Sequence, residues 1–371
     1  MVGSFALTLF RLIGIPASRI WVAQRHSDDQ SARMSPDSVT SPSVPRIRLL
    51  ATGGTIAGAQ TEGGRGYHAA SLSIEALVAA VPQLSALAQL EVEQVAAIGS
   101  QDMDEKVWLQ LAARAQAALD DPAIAGVVIT HGTDTMEETA YFLNLVIRGE
   151  KPVVLVGAMR PATAISADGP MNLYNAIAVA THPHTRGRGV LVVANDEIHF
   201  AREVSKTNTT QLGTFKATHR GLAGIVNAGR LHLYAPPVRR HTSSSEFTAA
   251  ALPAVLPRVD IVYAYAGMGG DHIEAAVKAG AAGIVIAGVG DGNMTSAALV
   301  SATAAARAGV AVVRSSRTGG GVIERNIEVD DDQLGLIAAE ELNPQKSRVL
   351  LMLGLTRTRD THALQEFFCV Y

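Results

Sequence analysis

The chain has 371 residues, 48% of them hydrophobic, a formal net charge of −3 and a single cysteine, Cys369. This length favours two domains, and the small net charge excludes a large basic surface for nucleic acid. One cysteine excludes an intrachain disulfide and a thiolate metal cluster. The histidines show no spacing typical of metal ligands. We therefore expect neither a metal nor a cofactor.

The first 45 residues differ in composition from the rest of the chain. The apolar stretch from Phe5 to Val22 is interrupted by Arg11, Pro16 and Arg19, so it is too polar to span a bilayer and is not a clean signal peptide. The stretch that follows is rich in Ser, Asp and Pro. We expect residues 1–45 to form a disordered extension or a degraded targeting segment, and we expect no membrane partner.

Strand and helix patterns alternate from residue 46 to about 240. The predicted strands are short apolar runs at 47–51, 127–130, 153–157 and 190–194. Helical periodicity follows at 104–119, 136–143 and 168–180. This alternation predicts an N-terminal α/β domain, residues 46–235, with a doubly wound, mostly parallel sheet of Rossmann or flavodoxin type.

Proline, arginine and serine dominate residues 236–258, which we interpret as an interdomain linker. Beyond it, apolar runs at 261–264, 283–287 and 310–314 predict three more buried strands separated by helices. Residues 259–371 should therefore form a second, smaller α/β domain.

Two threonine-bearing turns, 52–55 and 131–135, each follow a predicted strand. Open α/β sheets bind ligands at the carboxyl ends of their strands. The glycines permit a sharp turn with free backbone amides, so we expect Thr55 to be exposed as a nucleophile. In the second turn Asp134 or Thr135 would serve as the N-cap of the next helix.

A threonine hydroxyl is a weak nucleophile unless a nearby group accepts its proton. Tyr67 is one candidate, because it follows a glycine-rich stretch typical of a mobile lid. Lys206 is another, in a second polar triad with Thr133 and Asp134. Glu328, beside three aspartates, could supply a carboxylate from the second domain or belong to an acidic surface loop.

The turns belong to an ordered set of motifs that resembles bacterial L-asparaginases and glutaminase-asparaginases of the type II-like kind. The set spans nearly everything from residue 46 to 371. It comprises residues 51–58, 98–103, 130–140, 157–161, 166–170, 206–210, 313–316 and 342–346.

The resemblance implies hydrolysis of L-asparagine to L-aspartate and ammonia through an acyl-enzyme. In that chemistry Thr55 is the acylated nucleophile and Tyr67 its lid partner. The second polar triad supports the attack and consists of Thr133, Asp134 and Lys206. No cofactor is implied.

The resemblance also implies how a zwitterionic amino acid is held. Ser100 and Gln101 match positions that bind the α-carboxylate. Asp134 binds the α-ammonium together with Glu328 from a neighbouring subunit. A homotetramer built as a dimer of intimate dimers is therefore expected.

Three alternatives remain open. The enzyme could have substantial L-glutamine activity, since one methylene gives little discrimination. It could be a non-catalytic amino-acid sensor, or the asparaginase-like subunit of a tRNA amidotransferase, which the balanced charge disfavours. The absence of a disulfide pair weakly favours the cytoplasm over the periplasm.

Overall fold

The computed structural model describes residues 44–60, 67–68 and 72–371, without the side chains of residues 60, 67 and 68. The predicted N-terminal extension therefore lies almost wholly outside the described residues. Within them, none of the helices combines the length and apolar character needed to cross a membrane.

The described strands, in chain order, are β1 Arg46–Gly53, β2 Ala59–Gln60, β3 Tyr67–His68, β4 Gln89–Ile98, β5 Ile124–Thr130, β6 Val153–Val156, β7 Val190–Ala194, β8 Glu197–Phe200, β9 Val204–Lys206, β10 Phe215–Ala217, β11 Gly224–Asn227, β12 Arg230–Leu233, β13 Val259–Tyr263, β14 Gly283–Gly288, β15 Ala311–Ser316 and β16 Leu336–Ala338. The described α-helices are α1 Ile74–Ala79, α2 Glu105–Asp120, α3 Met136–Val146, α4 Gly169–Thr181, α5 Asp271–Lys278, α6 Ser296–Arg307, α7 Asp331–Leu334, α8 Pro344–Gly354 and α9 Thr361–Val370.

In the described part of the chain, eight strands form one large sheet in the order β12-β11-β8-β7-β6-β5-β1-β4. The pairings among β4, β1, β5, β6 and β7 are parallel, whereas β8, β11 and β12 join antiparallel. Strands β6 and β7 are buried along their whole length, as expected when helices cover both faces. The predicted large, mostly parallel sheet is confirmed.

Helices cover this sheet on both faces. Leu173 and Ile177 of α4 pack with Val154 of β6 in one hydrophobic cluster. On the other face, α2 and α3 contribute Trp108 and Phe142 to a second cluster, and their rings stack with centroids 5.0 Å apart. The apolar faces of these helices therefore pack against the sheet and hold its strands in place.

A separate four-stranded sheet, β13-β14-β15-β16, is parallel throughout, which confirms the predicted smaller C-terminal α/β unit. Helices α5 and α6 pack on one face of it. Helix α8 contacts β13 and β14 and also contacts α3 beside the large sheet. One hydrophobic cluster therefore contains residues of both sheets. The domain limits at 235 and 258 stay a prediction.

Candidate active site

Three turns meet at one edge of the large sheet. Strand β1 pairs in parallel with both β4 and β5, so that Gly53 lies opposite Ile98 and Ala51 opposite Thr130. Because parallel strands end on the same side, the turns that follow these three strands are neighbours. They carry Thr55, Ser100 and Thr133.

Two glycines allow these turns to touch. Gly54 has a φ of +82°, a backbone conformation that residues other than glycine rarely adopt. A Cβ on Gly54 would lie 2.3 Å from the Gly132 Cα, and a Cβ on Gly132 would lie 2.6 Å from Ser100 Oγ. The backbones of the first and second turns are therefore in direct contact. This close packing was missed by our sequence analysis, although both glycines lie inside the quoted motifs.

Thr55 begins a short 3₁₀ helix, Thr55–Ala57, whose first turn is closed by a bond from Gly58 N to Thr55 O of 2.8 Å. Thr55 is only 8% exposed, so the expectation of an exposed nucleophile is wrong. The physical reason is that the 3₁₀ turn is packed into the fold, since Ile56 and Ala57 are buried with Thr55 and belong to the hydrophobic cluster of α4 and the large sheet. The nucleophile candidate is therefore a buried hydroxyl.

Lys206, at the end of β9, connects two residues of the second turn. Its Nζ donates to Thr133 Oγ1 at 2.9 Å and to Asp134 Oδ1 at 2.6 Å. The lysine side chain is 15% exposed and the aspartate side chain 57%, while Thr133 is buried at 5%. The structure thus brings the three residues of the predicted triad into contact.

Ser100 connects its own turn to the second turn. Its Oγ accepts a bond from Asp134 N at 3.1 Å, and its carbonyl oxygen accepts one from Thr135 Oγ1 at 2.7 Å. Thr135 is the N-cap residue of α3, one of the two predicted, although its side chain makes no capping bond. The Thr135 hydroxyl bonds to Ser100 O and the Asp134 carboxylate to Lys206 instead. Gln101 is exposed beside Ser100.

Burial shifts the pKa values of two titratable groups near the triad. His131 is completely buried, and this desolvation lowers its pKa from 6.5 to about 4, although its bond to Gly132 O acts in the opposite direction. Burial raises the pKa of Glu138 from 4.5 to about 7, with Arg348 opposing and Glu137 adding to the change. His131 was not among the predicted site residues, although it lies inside the second turn.

For two predicted site residues, the described contacts include none to the three turns at the sheet edge. Tyr67 lies opposite Gln60 in the β2–β3 pair, and its side chain is outside the described residues. Glu328 is exposed in the loop between β15 and α7. That loop is anchored by Arg314, which makes a bidentate, buried pair with Asp331 at 2.7 and 2.8 Å. The role of Glu328 requires a neighbouring subunit and stays a prediction.

Two family models match the chain over most of its length. The model described as "Asparaginase, N-terminal" matches residues 46–239. The model described as "Glutaminase/Asparaginase C-terminal domain" matches residues 258–368. The chain therefore belongs to the asparaginase family.

Similar proteins agree with this assignment. The chain is 48% identical over 334 residues to "L-asparaginase 2" of Bacillus subtilis, covering 88% of this chain and 87% of that protein. It is 43% identical over 335 residues to "Glutaminase-asparaginase" of Pseudomonas fluorescens, covering 90% and 92%. The solved "Probable Cytoplasmic L-asparaginase from Campylobacter jejuni" superposes with a TM-score of 0.83 at 44% identity, covering 88% of this chain and 100% of that one.

Proposed function

We propose that the protein hydrolyses the side-chain amide of free L-asparagine to L-aspartate and ammonia. Thr55 Oγ attacks the amide carbon while its proton passes to a neighbouring base, which passes that proton to the amide nitrogen as the C–N bond breaks and ammonia leaves. The oxygen of a water molecule then attacks the carbonyl carbon of the β-aspartyl ester, the ester C–O bond breaks to release L-aspartate, and a proton of that water returns through the base to Thr55 Oγ. Tyr67 and the Lys206 triad are the two candidates for the first proton transfer.

The observation that carries this proposal is the bridge from Lys206 Nζ to Thr133 Oγ1 and Asp134. Because Thr133 Oγ1 accepts a bond from the lysine, its own hydroxyl hydrogen can be donated to a reacting group. The adjacent turn carries Thr55, and the contact between Gly54 and Gly132 joins the two turns. A second buried hydroxyl, held by a lysine on the turn next to that of the nucleophile, suits proton relay.

Substrate recognition follows from the charges at this edge. Ser100 and Gln101 would bind the α-carboxylate, and Asp134 would bind the α-ammonium. Asp134 is suited to this role because its carboxylate is exposed while Oδ1 bonds to Lys206. A zwitterion needs donors on one side and a carboxylate on the other.

The direct test is ammonia release by Thr55→Ala and Thr133→Val, with mass spectrometry of quenched mixtures. Both variants should lose nearly all turnover, and the wild type should carry an aspartyl adduct on Thr55. The matched control is Thr185→Ala, which removes a buried hydroxyl that donates to Val179 O at 2.8 Å, outside the site. Wild-type turnover in Thr55→Ala, or an adduct on another side chain, would refute the assignment.

We also propose that the active unit is a homotetramer in which Glu328 acts on a neighbouring subunit. Neither Thr55→Ala nor Glu328→Ala should be active alone. Mixed oligomers of the two variants should regain activity, because some sites would combine an intact Thr55 with an intact Glu328. Failure of mixed oligomers of confirmed stoichiometry to regain any activity would contradict action between subunits.

Substantial L-glutamine activity is the second candidate function, favoured by the 43% identity to a protein named glutaminase-asparaginase. L-Glutamine has one methylene more than L-asparagine, and such a difference changes the transition-state binding free energy by only about 1–3 kcal/mol. Comparing kcat/KM for L-asparagine and L-glutamine, with D-asparagine as a stereochemical control, decides between them. Binding of L-aspartate without ammonia release from any amide would instead support a sensor.

We propose a cytoplasmic location, with the periplasm as the alternative. The support is the absence of a cysteine pair in the sequence and the likeness to an asparaginase named cytoplasmic. Fractionation of cells that express the full chain tests this, and recovery in the periplasmic fraction would contradict it.

A further inference from the structure

The motif at residues 342–346 has no part in the chemistry proposed above, yet its side chains contact both elements that carry the triad. It leads into α8, whose N-cap is Asn343: the Asn343 Oδ1 accepts a bond from Lys346 N at 3.0 Å. The other polar atoms of the motif reach the first turn of α3 and the strand β9. The start of α3 positions Thr133 and Asp134, and β9 positions Lys206.

The contact to α3 is made through Glu137, which is only 4% exposed. Its Oε2 accepts a bond from Asn343 Nδ2 and its Oε1 accepts one from Gln345 Nε2, both at 3.0 Å. Lys346 Nζ lies 3.9 Å from Glu137 Oε2. Glu137 follows Asp134 by three positions, so these bonds fix the start of the helix against α8.

The contact to β9 is made through Lys346 and Asn343. Lys346 is 2% exposed, and its Nζ donates to the carbonyl oxygens of Arg202, at 2.7 Å, and Val204. Asn343 Nδ2 also contacts Ser205 Oγ at 3.0 Å. Ser205 immediately precedes Lys206, so the segment that holds α3 also holds the strand that ends at the catalytic lysine.

Stability alone does not explain a buried charged pair at this place. Removing a lysine and a glutamate from water is costly, and an apolar pair of similar volume is often as stable. Burial lowers the pKa of Lys346 to about 8, although Glu137 and Glu203 favour its charged form. What the charged pair does achieve is a fixed geometry. Lys346 bonds to the backbone at residues 202 and 204, and Glu137 of α3 bonds to Asn343 and Gln345 at the start of α8.

We propose that Glu137, Asn343 and Lys346 form a clamp of positioning residues that holds Lys206 Nζ against Thr133 Oγ1. This inference rests on the proposed function, in which Lys206 and Thr133 support attack by Thr55. The clamp residues touch neither the substrate nor the reacting atoms, and they act through Lys206.

The first test is Lys346→Met, which keeps the length of the side chain and removes its donors. The expected result is a loss in kcat of about 10- to 100-fold, because a displacement near 1 Å in a catalytic group can cost that much. KM should change by a smaller factor than kcat, since Ser100 and Gln101, which would bind the α-carboxylate, bond elsewhere. An unchanged kcat in a folded tetramer would overturn the inference.

Gln365→Met is the matched control, because Gln365 is also a buried residue that ties a helix to a strand. Its side chain bonds Ala338 N at 2.8 Å and Ala338 O at 3.0 Å, which joins α9 to β16. This variant should lower the unfolding midpoint and leave kcat unchanged. An equal loss of kcat in Gln365→Met would show that general destabilisation, not the clamp, reduces turnover.

A double-mutant comparison separates positioning from a merely structural role. In a Lys206→Met background, Lys346→Met should cause no further loss in kcat, because the clamp acts through the residue already removed. Multiplicative losses would overturn the clamp while leaving the proposed function intact. Wild-type turnover in Lys206→Met alone would refute the role of Lys206, and the clamp with it.

Asn343→Asp keeps the clamp testable where Lys346→Met does not fold. Aspartate preserves the N-cap oxygen and the volume but replaces the donor to Glu137 and Ser205 with a like-charged acceptor. It should lower kcat in the same way as Lys346→Met. Wild-type kcat in Asn343→Asp would contradict the proposal.

Discussion

Replacing Glu138 by glutamine should make the protein more stable at neutral pH and leave its stability nearly unchanged in acid. Glu138 lies in the first turn of α3, where burial raises its pKa from 4.5 to about 7 despite the nearby Arg348. The folded state therefore holds a proton that the unfolded chain releases at lower pH. Glutamine keeps the shape of the side chain and does not titrate.

The sign and size of the effect follow from linkage. Because the pKa is raised on folding, the contribution of Glu138 to stability is fully present below 4.5 and is lost as the pH rises through about 7. A change of about 2.5 in pKa corresponds to about 3 kcal/mol. The free energy of unfolding of Glu138→Gln, relative to wild type, should therefore grow by about 3 kcal/mol between pH 4 and pH 8.

Urea unfolding at fixed protein concentration measures this difference, since the stability of the proposed tetramer would depend on concentration. The control is Glu105→Gln, whose carboxylate bonds the same arginine, Arg348 Nη2, at 2.7 Å but is 41% exposed. This variant removes a partner of Arg348 without removing a buried carboxylate, so it separates the two effects. A difference for Glu138→Gln that does not change with pH would refute the reasoning from burial.

Three further predictions follow from buried groups around the site. An NMR titration should place the His131 ring near pH 4, so its contribution to stability is present above 6.5 and lost as pH falls through 4; a midpoint near 6.5 would contradict this. Gly132→Ala should raise KM for L-asparagine and destabilise by about 1–3 kcal/mol, because its Cβ would displace Ser100; an unchanged KM would count against carboxylate binding there. Arg314→Met should cost about 3–5 kcal/mol in urea unfolding by leaving Asp331 buried without its partner, and a cost below 1 kcal/mol would contradict that account.

Local sequence patterns predicted the strands that are buried on both faces. Strands β7 and β14 begin where the apolar runs begin, at Val190 and Gly283. The prediction missed β4, Gln89–Ile98, which lies at the edge of the large sheet and has only partly buried and exposed residues. It also missed the short antiparallel strands β8, β11 and β12. Their signal comes from pairing partners and not from their own hydrophobicity.

The site, like the fold, could be predicted only where its signal is local in the sequence. The glycine-threonine turns are local, so Thr55 and Thr133 could be identified from the sequence, and the family resemblance added Lys206. The burial of Thr55 could not be predicted, because it depends on how the 3₁₀ turn packs into the fold, where the following Ile56 and Ala57 join residues of α4 and the large sheet. Nor could the contacts of Glu137, whose partner Asn343 is 206 positions away in the sequence.

Bonds from the C-terminal half of the chain help to hold a site whose residues lie in the N-terminal half. Turns of the large sheet carry Thr55 and Thr133, yet the lysine that bridges the second turn comes from β9, a strand outside that sheet. A strand of three residues with one short partner has little rigidity of its own. Bonds from Lys346 to the β9 backbone, made from a helix that packs on the smaller sheet, supply the missing constraint. Correct placement of Lys206 thus depends on the packing of α8 between the two sheets.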